Sequence, residues 1–480
     1  MISKNITSNK EKLIKAFNNS SDFVAYEFKT RADIKILICF IEGFVNKDLF
    51  DRDILKPLIL ELDGQKEIKE VIFTPKIEEV DSIEQVKNEI IFGKIAIFIE
   101  GNTNCFVVEL IKWDKRSIEE PNSEAVVRGP KEGFIEDIEV NKVLLRRELR
   151  NNKLVFEDYR FGKQTNTKVS IAYIKGIVNE DVLQELKRRL EKIDIDAMLE
   201  SGYIEELIED SPLSLIGTVS NAEKPDIIAG KILEGKVAIL VDGTPHVLTI
   251  PRIFVEGIMA SEDYYLRPYY STFLRLLRII GLFAAVYLPG IFVALQLYHQ
   301  EMIPTVLLIN MAGAREGVPL PVTLEVLFMT IALELTKESG LRLPKNVGAT
   351  VSIVGALILG QAAVEAGVVN AITIIVVSTS AIAEFVIPGL IQGIVVYRFV
   401  ILLLGGLMGL YGVACGFIFI TMELVSLDSF GVPFAWPIAP REWGGLKKDT
   451  LVRLPLWKNI FRPKAIEKRN IRRQISPWRK

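Results

Sequence analysis

The sequence predicts an α+β protein in two parts: a duplicated, two-lobed α/β domain on the cytoplasmic side, followed by an α-helical domain with several membrane spans. Three observations predict it. Charge and apolar residues are segregated along the chain, two phrases recur in the first half, and long apolar stretches are confined to the second half. Mean hydropathy is +0.29 although 25% of the 480 residues are charged. Residues 1–266 carry 37 Lys and Arg against 48 Asp and Glu, residues 267–446 carry 9 against 10, and residues 447–480 carry 12 against 2. A chain this long exceeds one soluble core. The expected division is a first lobe over 1–125, a linker and second lobe over 126–266, a helical membrane domain over 267–445 and a basic cytoplasmic tail over 446–480.

The first half repeats itself. "IEGFVNKDLF" (41–50) is echoed by "IKGIVNEDVL" (174–183), and "IIFGKIAIFIEG" (90–101) by "ILEGKVAILVDG" (232–243). In each half a β-branched apolar run ("IKILICFI", "KVSIAYI") precedes a Gly turn and a Leu-rich helical pattern, then a helix, a strand after Gly-Lys, a tight turn and another strand. Between the halves lies a linker with its own basic helix pattern. Gly93-Lys94 and Gly235-Lys236 lack the earlier glycines and the following hydroxyl of a phosphate loop, so each glycine reads as a helix end and each lysine as solvated. The polar start "MISKNITSNKEKLIKAFNNSSDF" has no apolar signal core, which predicts a cytoplasmic first half. Cys39, Cys105 and Cys415 are too scattered for a metal or redox motif and read as buried or free thiols.

Four stretches in the second half are long enough to cross about 30 Å of hydrocarbon as helix: 276–298, 347–367, 370–397 and 400–424. Arg267, Arg275 and Arg278 before the first, and the basic tail after the last, place both ends in the cytoplasm by the positive-inside rule. An even number of crossings follows. The stretch 321–338, "PVTLEVLFMTIALELTKE", is therefore read as re-entrant or buried between spans. On a helix from Pro321, Thr323, Thr330, Glu334, Lys337 and Glu338 share one stripe, and Glu325 lies on the other side near the positive N-terminal end. Such groups must face protein or water rather than lipid.

Thr350, Val354, Leu357, Gln361 and Glu365 align along 347–367, beside the small residues Gly348, Ser352, Gly355, Ala356 and Gly360. Polar ends around an apolar collar fit a pore with a dewetting gate, and the small residues fit equally a helix packed through that face. Glu384, beside Pro388-Gly389, and Arg398 are further intramembrane candidates that can also pair with each other. With His246 and His299 as the two histidines, no nucleophile elbow and no clustered metal ligands, an enzyme is the weakest reading, and no catalytic residue, metal or cofactor is expected. Asp242-Gly243-Thr244 reads as a hairpin turn. The tail, with Arg462, Lys464, Lys468, Arg469, Arg472 and Arg473, suits anionic lipid headgroups better than nucleic acid, at about 1 kcal/mol per charge.

The motifs "HQEMIP" (299–304), "REGVPLP" (315–321), "GLRLPK" (340–345), "SIVGALILGQAAVEAG" (352–367) and "GVPFAWPIAP" (431–440) follow "VVRGPKEGFIEDIEVNKVLLRRELR" in order. From about Val126 to Phe461 the chain closely resembles the A subunits of GerA-type spore germination receptors, with Trp436 in place of a smaller residue. The resemblance implies a multi-pass protein of the spore inner membrane. Its implied partners are a B subunit that resembles amino-acid transporters and senses the nutrient, and a C lipoprotein. It further implies that A subunits form homo-oligomers and the ion-conducting part, releasing monovalent cations. The competing readings are an accessory subunit like the stage V sporulation protein AF, which shares the architecture, and a secondary transporter using Glu334 or Glu365.

Overall fold

The computed structural model describes residues 2–63, 66–74, 76–110, 128–343, 355, 358–445, 450–463, 465–466 and 470–474. The repeat becomes two five-stranded antiparallel sheets of one topology. Strands β1 (Phe23–Lys29), β2 (Lys35–Ile41), β3 (Ile77–Val80), β4 (Ile95–Ile99) and β5 (Cys105–Val108) are ordered β1-β2-β4-β5-β3. Strands β6 (Leu154–Phe161), β7 (Thr167–Ile174), β8 (Ser220–Ala222), β9 (Val237–Val241) and β10 (Val247–Ile250) are ordered β6-β7-β9-β10-β8. Equivalent pairs share register: Cys39 faces Ala96 and Ala172 faces Ala238.

Each sheet is covered on both faces, which is why its central strands read as unbroken apolar runs rather than alternating ones. In the first lobe Leu37, Cys39 and Phe98 join one core while Ile36, Ile38 and Ile97 join the opposite one. In the second, Ile171 and Ile239 face one core, Ala172 and Leu240 the other. Gly93 and Gly235 adopt φ of 91° and 102° just past the helices Ile83–Ile91 and Pro225–Leu233, so the helix-end reading holds. The solvated-lysine reading holds for neither. Lys94 bridges Glu78 and Glu89, and Lys236 is fully buried and paired with Glu256. Asp242-Gly243 is the β9–β10 turn, as expected.

The basic linker helix, Ile138–Glu148, joins the lobes through one residue above all. Arg146 is fully buried, donates two hydrogen bonds of 2.8 Å to the carboxylate of Asp22 in the first lobe, and donates to the Asn151 and Leu154 carbonyls at 3.0 and 3.1 Å. The second lobe also borrows from the far end of the chain. Phe430, Val432 and Trp436 complete its core, Arg462 donates to the Leu233 carbonyl at 2.7 Å, and Arg473 bridges Glu234 at 2.9 Å. Two arginines of the tail therefore dock onto protein, where lipid headgroups were expected.

In the apolar half, Pro268–Tyr298 and Pro388–Ser426 are long and apolar enough to cross a membrane by length and composition. Leu276, Ile280, Phe283, Leu407, Phe419 and Met422 are exposed on them. The expected span 276–298 lies within the first of these. The boundary expected between 370–397 and 400–424 is corrected. The helix Ala371–Glu384 ends early, Pro388–Leu390 forms a single 3-10 turn, and the next helix, Ile391–Ser426, runs straight through Arg398. Pro388 lacks the N–H that would continue the earlier helix.

That second helix is itself a hairpin. Gly409 has φ 66° and ψ −148°, a conformation essentially confined to glycine, with the Tyr298 ring against it. Beyond it the chain doubles back: Tyr397 Oη donates to Glu423 Oε2 at 2.8 Å, although 26 residues of straight helix would separate them by about 39 Å. Gly416 packs on Ile401, and the Tyr287 and Phe417 rings lie 5.8 Å apart. The arms 391–408 and 410–426 are each about 26 Å long. The stretch 321–338 forms most of a continuous helix, Val322–Arg342, and the described part of 347–367 is helical over 358–365.

Candidate functional site

Four charged residues of the apolar half converge where three helices meet. Arg398 is 1% exposed on the first hairpin arm and Glu384, also 1% exposed, ends the helix Ala371–Glu384; the two form an ion pair. Arg398 Nη1 also reaches Glu334 Oε1 at 3.1 Å, and its Nε donates to the Ala285 carbonyl at 2.8 Å. Lys337 closes the cluster, 3.0 Å from Glu334 and paired with Glu384. Two acids and two bases thus neutralise one another. Any one of them alone at this burial would cost several kcal/mol. Of the two readings open for Glu384 and Arg398, intramembrane site residues or a mutual pair, the geometry has them paired, and Glu334 and Lys337 belong to the pair.

Glu325 lies apart from that cluster, fully buried, and acts on a different helix from its own. Its Oε1 accepts from the backbone N–H of Asn370, the residue that opens Ala371–Glu384, so its charge faces the positive end of that helix. Asn370 Oδ1 accepts from the Ile372 N–H at 2.9 Å, completing the cap. Glu325 Oε2 and Asn370 Nδ2 are buried without hydrogen bonds.

Of the stripe along 347–367, Thr350, Val354 and Leu357 lie outside the described residues. Gln361 and Glu365 are exposed and bonded to each other, Gln361 Nε2 donating to Glu365 Oε1 at 2.9 Å. The structure does not bring them to Glu334, Glu384 or Arg398.

A second arrangement joins the lobes to the helices. Arg252, just after β10, donates to the Gly217 and Val219 carbonyls at 3.0 and 3.1 Å and to the Gly389 carbonyl, in the helix break, at 2.5 Å. Leu390 presses on Gly257 and Ile216 on Gly393, contacts so close that a Cβ at either glycine would clash. Above this joint is a chamber of about 1050 Å³ lined by Glu205, Asp226, Lys231, Glu256, Arg473 and the turn Pro388–Leu390. Burial and the neighbouring Glu209 push the Glu205 carboxyl up to about 7, against the opposing pull of Arg252. Burial would raise Glu256 too, but Lys236 and Lys231 outweigh it and hold it below the usual range. Sequence reasoning missed Arg252 and Glu205. The available signal was Pro388-Gly389, which marks a break to which something had to bond.

Residues 11–465 match the family described as the Bacillus/Clostridium GerA spore germination protein. This chain belongs to the GerA family. It is 38% identical to spore germination protein KA of Bacillus subtilis, over 99% of this chain and 89% of that one. It is equally similar to the uncharacterised membrane protein YfkQ of B. subtilis, at 38% over 98% and 93%, and to spore germination protein GerLA of Bacillus cereus, at 38% over 90% and 89%. Among solved structures, the N-terminal domain of the A subunit of the Bacillus megaterium spore germinant receptor GerK3 is 28% identical, covering 53% of this chain and 97% of that one with a TM-score of 0.40. The family match also takes in residues 11–125, upstream of the stretch that carries the motif resemblance.

Proposed function

We propose that this GerA-family chain is the A subunit of a nutrient receptor that triggers spore germination, and that several copies surround a path releasing monovalent cations. It would sit as a multi-pass protein in the spore inner membrane, lobes and tail on the cytoplasmic side, beside a transporter-like B subunit and a C lipoprotein. The observation that carries the conducting role is the exposure of Gln361 and Glu365 on the helical stretch 358–365, apart from the paired charges of the other helices. A carboxylate within a bilayer is stable only against water or another subunit. The monomer leaves it open, which supports an assembly whose axis these residues line.

The charge cluster has the opposite character. Glu334 and Glu384 are both paired to Arg398, which favours a structural role over proton carriage and so favours a receptor over a secondary transporter.

The test is ion release from spores. Glu365→Gln should lower cation preference while the complex still assembles, because it removes charge with little volume. Val354→Ala or Leu357→Ala should let ions pass without nutrient if these residues form the collar. Normal nutrient-dependent release in all three variants would overturn the pore reading.

A further inference from the structure

Among the described residues the chamber above the joint holds five basic side chains, and each is already engaged. Arg252 serves three carbonyls. Arg278 donates to the Ile258 carbonyl at 3.2 Å and to Asp263 at 2.9 Å. Lys231 bonds Ser220 and Thr249, Arg462 the Leu233 carbonyl, and Arg473 Glu234, leaving the Arg473 Nε without an acceptor.

Among the described residues, two of the acids on the wall are bonded, Glu234 to Arg473 and Glu262 to the Arg128 N–H, and three others are less satisfied. The Glu205 carboxylate makes no hydrogen bond or ion pair among the described residues. Asp226 Oδ2 accepts from Tyr265 at 2.5 Å, while its buried Oδ1 has no hydrogen bond and only an ion pair at 3.6 Å to Lys224, whose Nζ likewise makes no hydrogen bond. Glu256 Oε1 takes Lys236, while its buried Oε2 has no hydrogen bond and lies 3.9 Å from Lys231. Open acceptors in a chamber also walled by Ile216, Met259 and Leu390 call for a donor-rich cation with an apolar body.

We propose that this chamber binds a small organic ammonium group. The shared chemistry admits a soluble amine or the ethanolamine headgroup of a phospholipid. Because one wall is the second lobe and another is Pro388–Leu390, an occupant touches both sides of the joint and is placed to bias how the lobes sit on the helices.

Full-length protein in nanodiscs, titrated calorimetrically with n-hexylammonium, n-hexanol and n-hexanoate, provides the test. Hexylammonium should bind at one site, with the alcohol and the carboxylate weaker by roughly tenfold or more, the scale of one charge-assisted hydrogen bond. Glu205→Gln should weaken it by roughly tenfold, and wild-type affinity should rise with pH as Glu205 ionises near 7. Gly230→Leu supplies an independent check. A Cβ at Gly230 meets nothing within 4 Å and points into free space, so the helix Pro225–Leu233 keeps its fold while the side chain narrows the chamber and binding weakens. Lower apparent affinity in discs containing phosphatidylethanolamine than in phosphatidylglycerol alone would assign the site to a lipid headgroup. Unchanged affinity would assign it to a soluble amine. Hexanoate binding as tightly as hexylammonium, or undiminished binding in a folded Gly230→Leu, would overturn the proposal.

Discussion

Arg398 shows how much one side chain can decide. It lies between two acids that have no other route to charge balance apart from Lys337, so truncation leaves Glu384 buried with half its partners. Arg398→Ala should lower stability in detergent by about 3–5 kcal/mol, the usual cost of orphaning a buried charge. Adding Glu384→Gln should recover part of that loss, and a thermal melt of the single and double variants would check it. At Glu205 the sign is reversed. Its folded pKa stands near 7 against an ordinary 4.5, so the native state holds a proton that the unfolded chain releases. Stability should therefore fall as pH rises from about 4.5 through about 7, with the penalty fully present above that window. Glu205→Gln should be more stable than wild type by about 1–2 kcal/mol at pH 8, after allowance for solvent screening, with the difference vanishing in acid. Equal pH profiles for the two proteins would refute this account of Glu205.

At the level of elements, the hairpin around Gly409 is the sharpest claim. Cysteines at Ile401 and Gly416 should crosslink readily, because the two positions touch across the arms, whereas a straight helix would hold them about 22 Å apart. Gly409→Ala should cost about 1–3 kcal/mol through backbone strain and slow that crosslink, since a Cβ would meet the Tyr298 ring at 3.0 Å. The apolar composition of 370–424 announced membrane helices without locating their ends. Hydropathy is blind to direction, and only Pro388-Gly389 and the positive φ of Gly409 distinguish two long spans from a short helix followed by a hairpin.

For the whole molecule, the lobes are tied to the helices at both ends of the apolar half. Residues 1–262 contain both complete sheets and should fold as a soluble α/β fragment. That fragment lacks Phe430, Val432 and Trp436, so its second lobe should melt below that of the full chain. Trp436→Ala in the full chain should reproduce most of the deficit, about 3–5 kcal/mol. The docking of Arg462 and Arg473 on the second lobe puts the tail on the same side as the lobes. With the lobes cytoplasmic as proposed, a cysteine at Ser476 should resist an impermeant reagent applied from outside, and labelling would overturn that placement.

Duplication, charge segregation and the family motifs were legible along the chain, because each is a property of residue order: equivalent phrases recur, acids cluster in 1–266, and apolar runs exceed the bilayer thickness. Glu334, Glu384 and Arg398 were legible as unusual but not as a set, since a charge in an apolar helix reveals that it needs a partner and not which one. Glu325 likewise looked like an anion for the start of its own helix and proved to serve the helix that begins at Ala371. Pairings across 45, 64 or 26 residues depend on how the helices pack, and packing is set by small residues meeting backbone, as Gly290 does at Ile401 and Gly405. Such contacts are fixed by mutual fit in three dimensions, which no local pattern encodes.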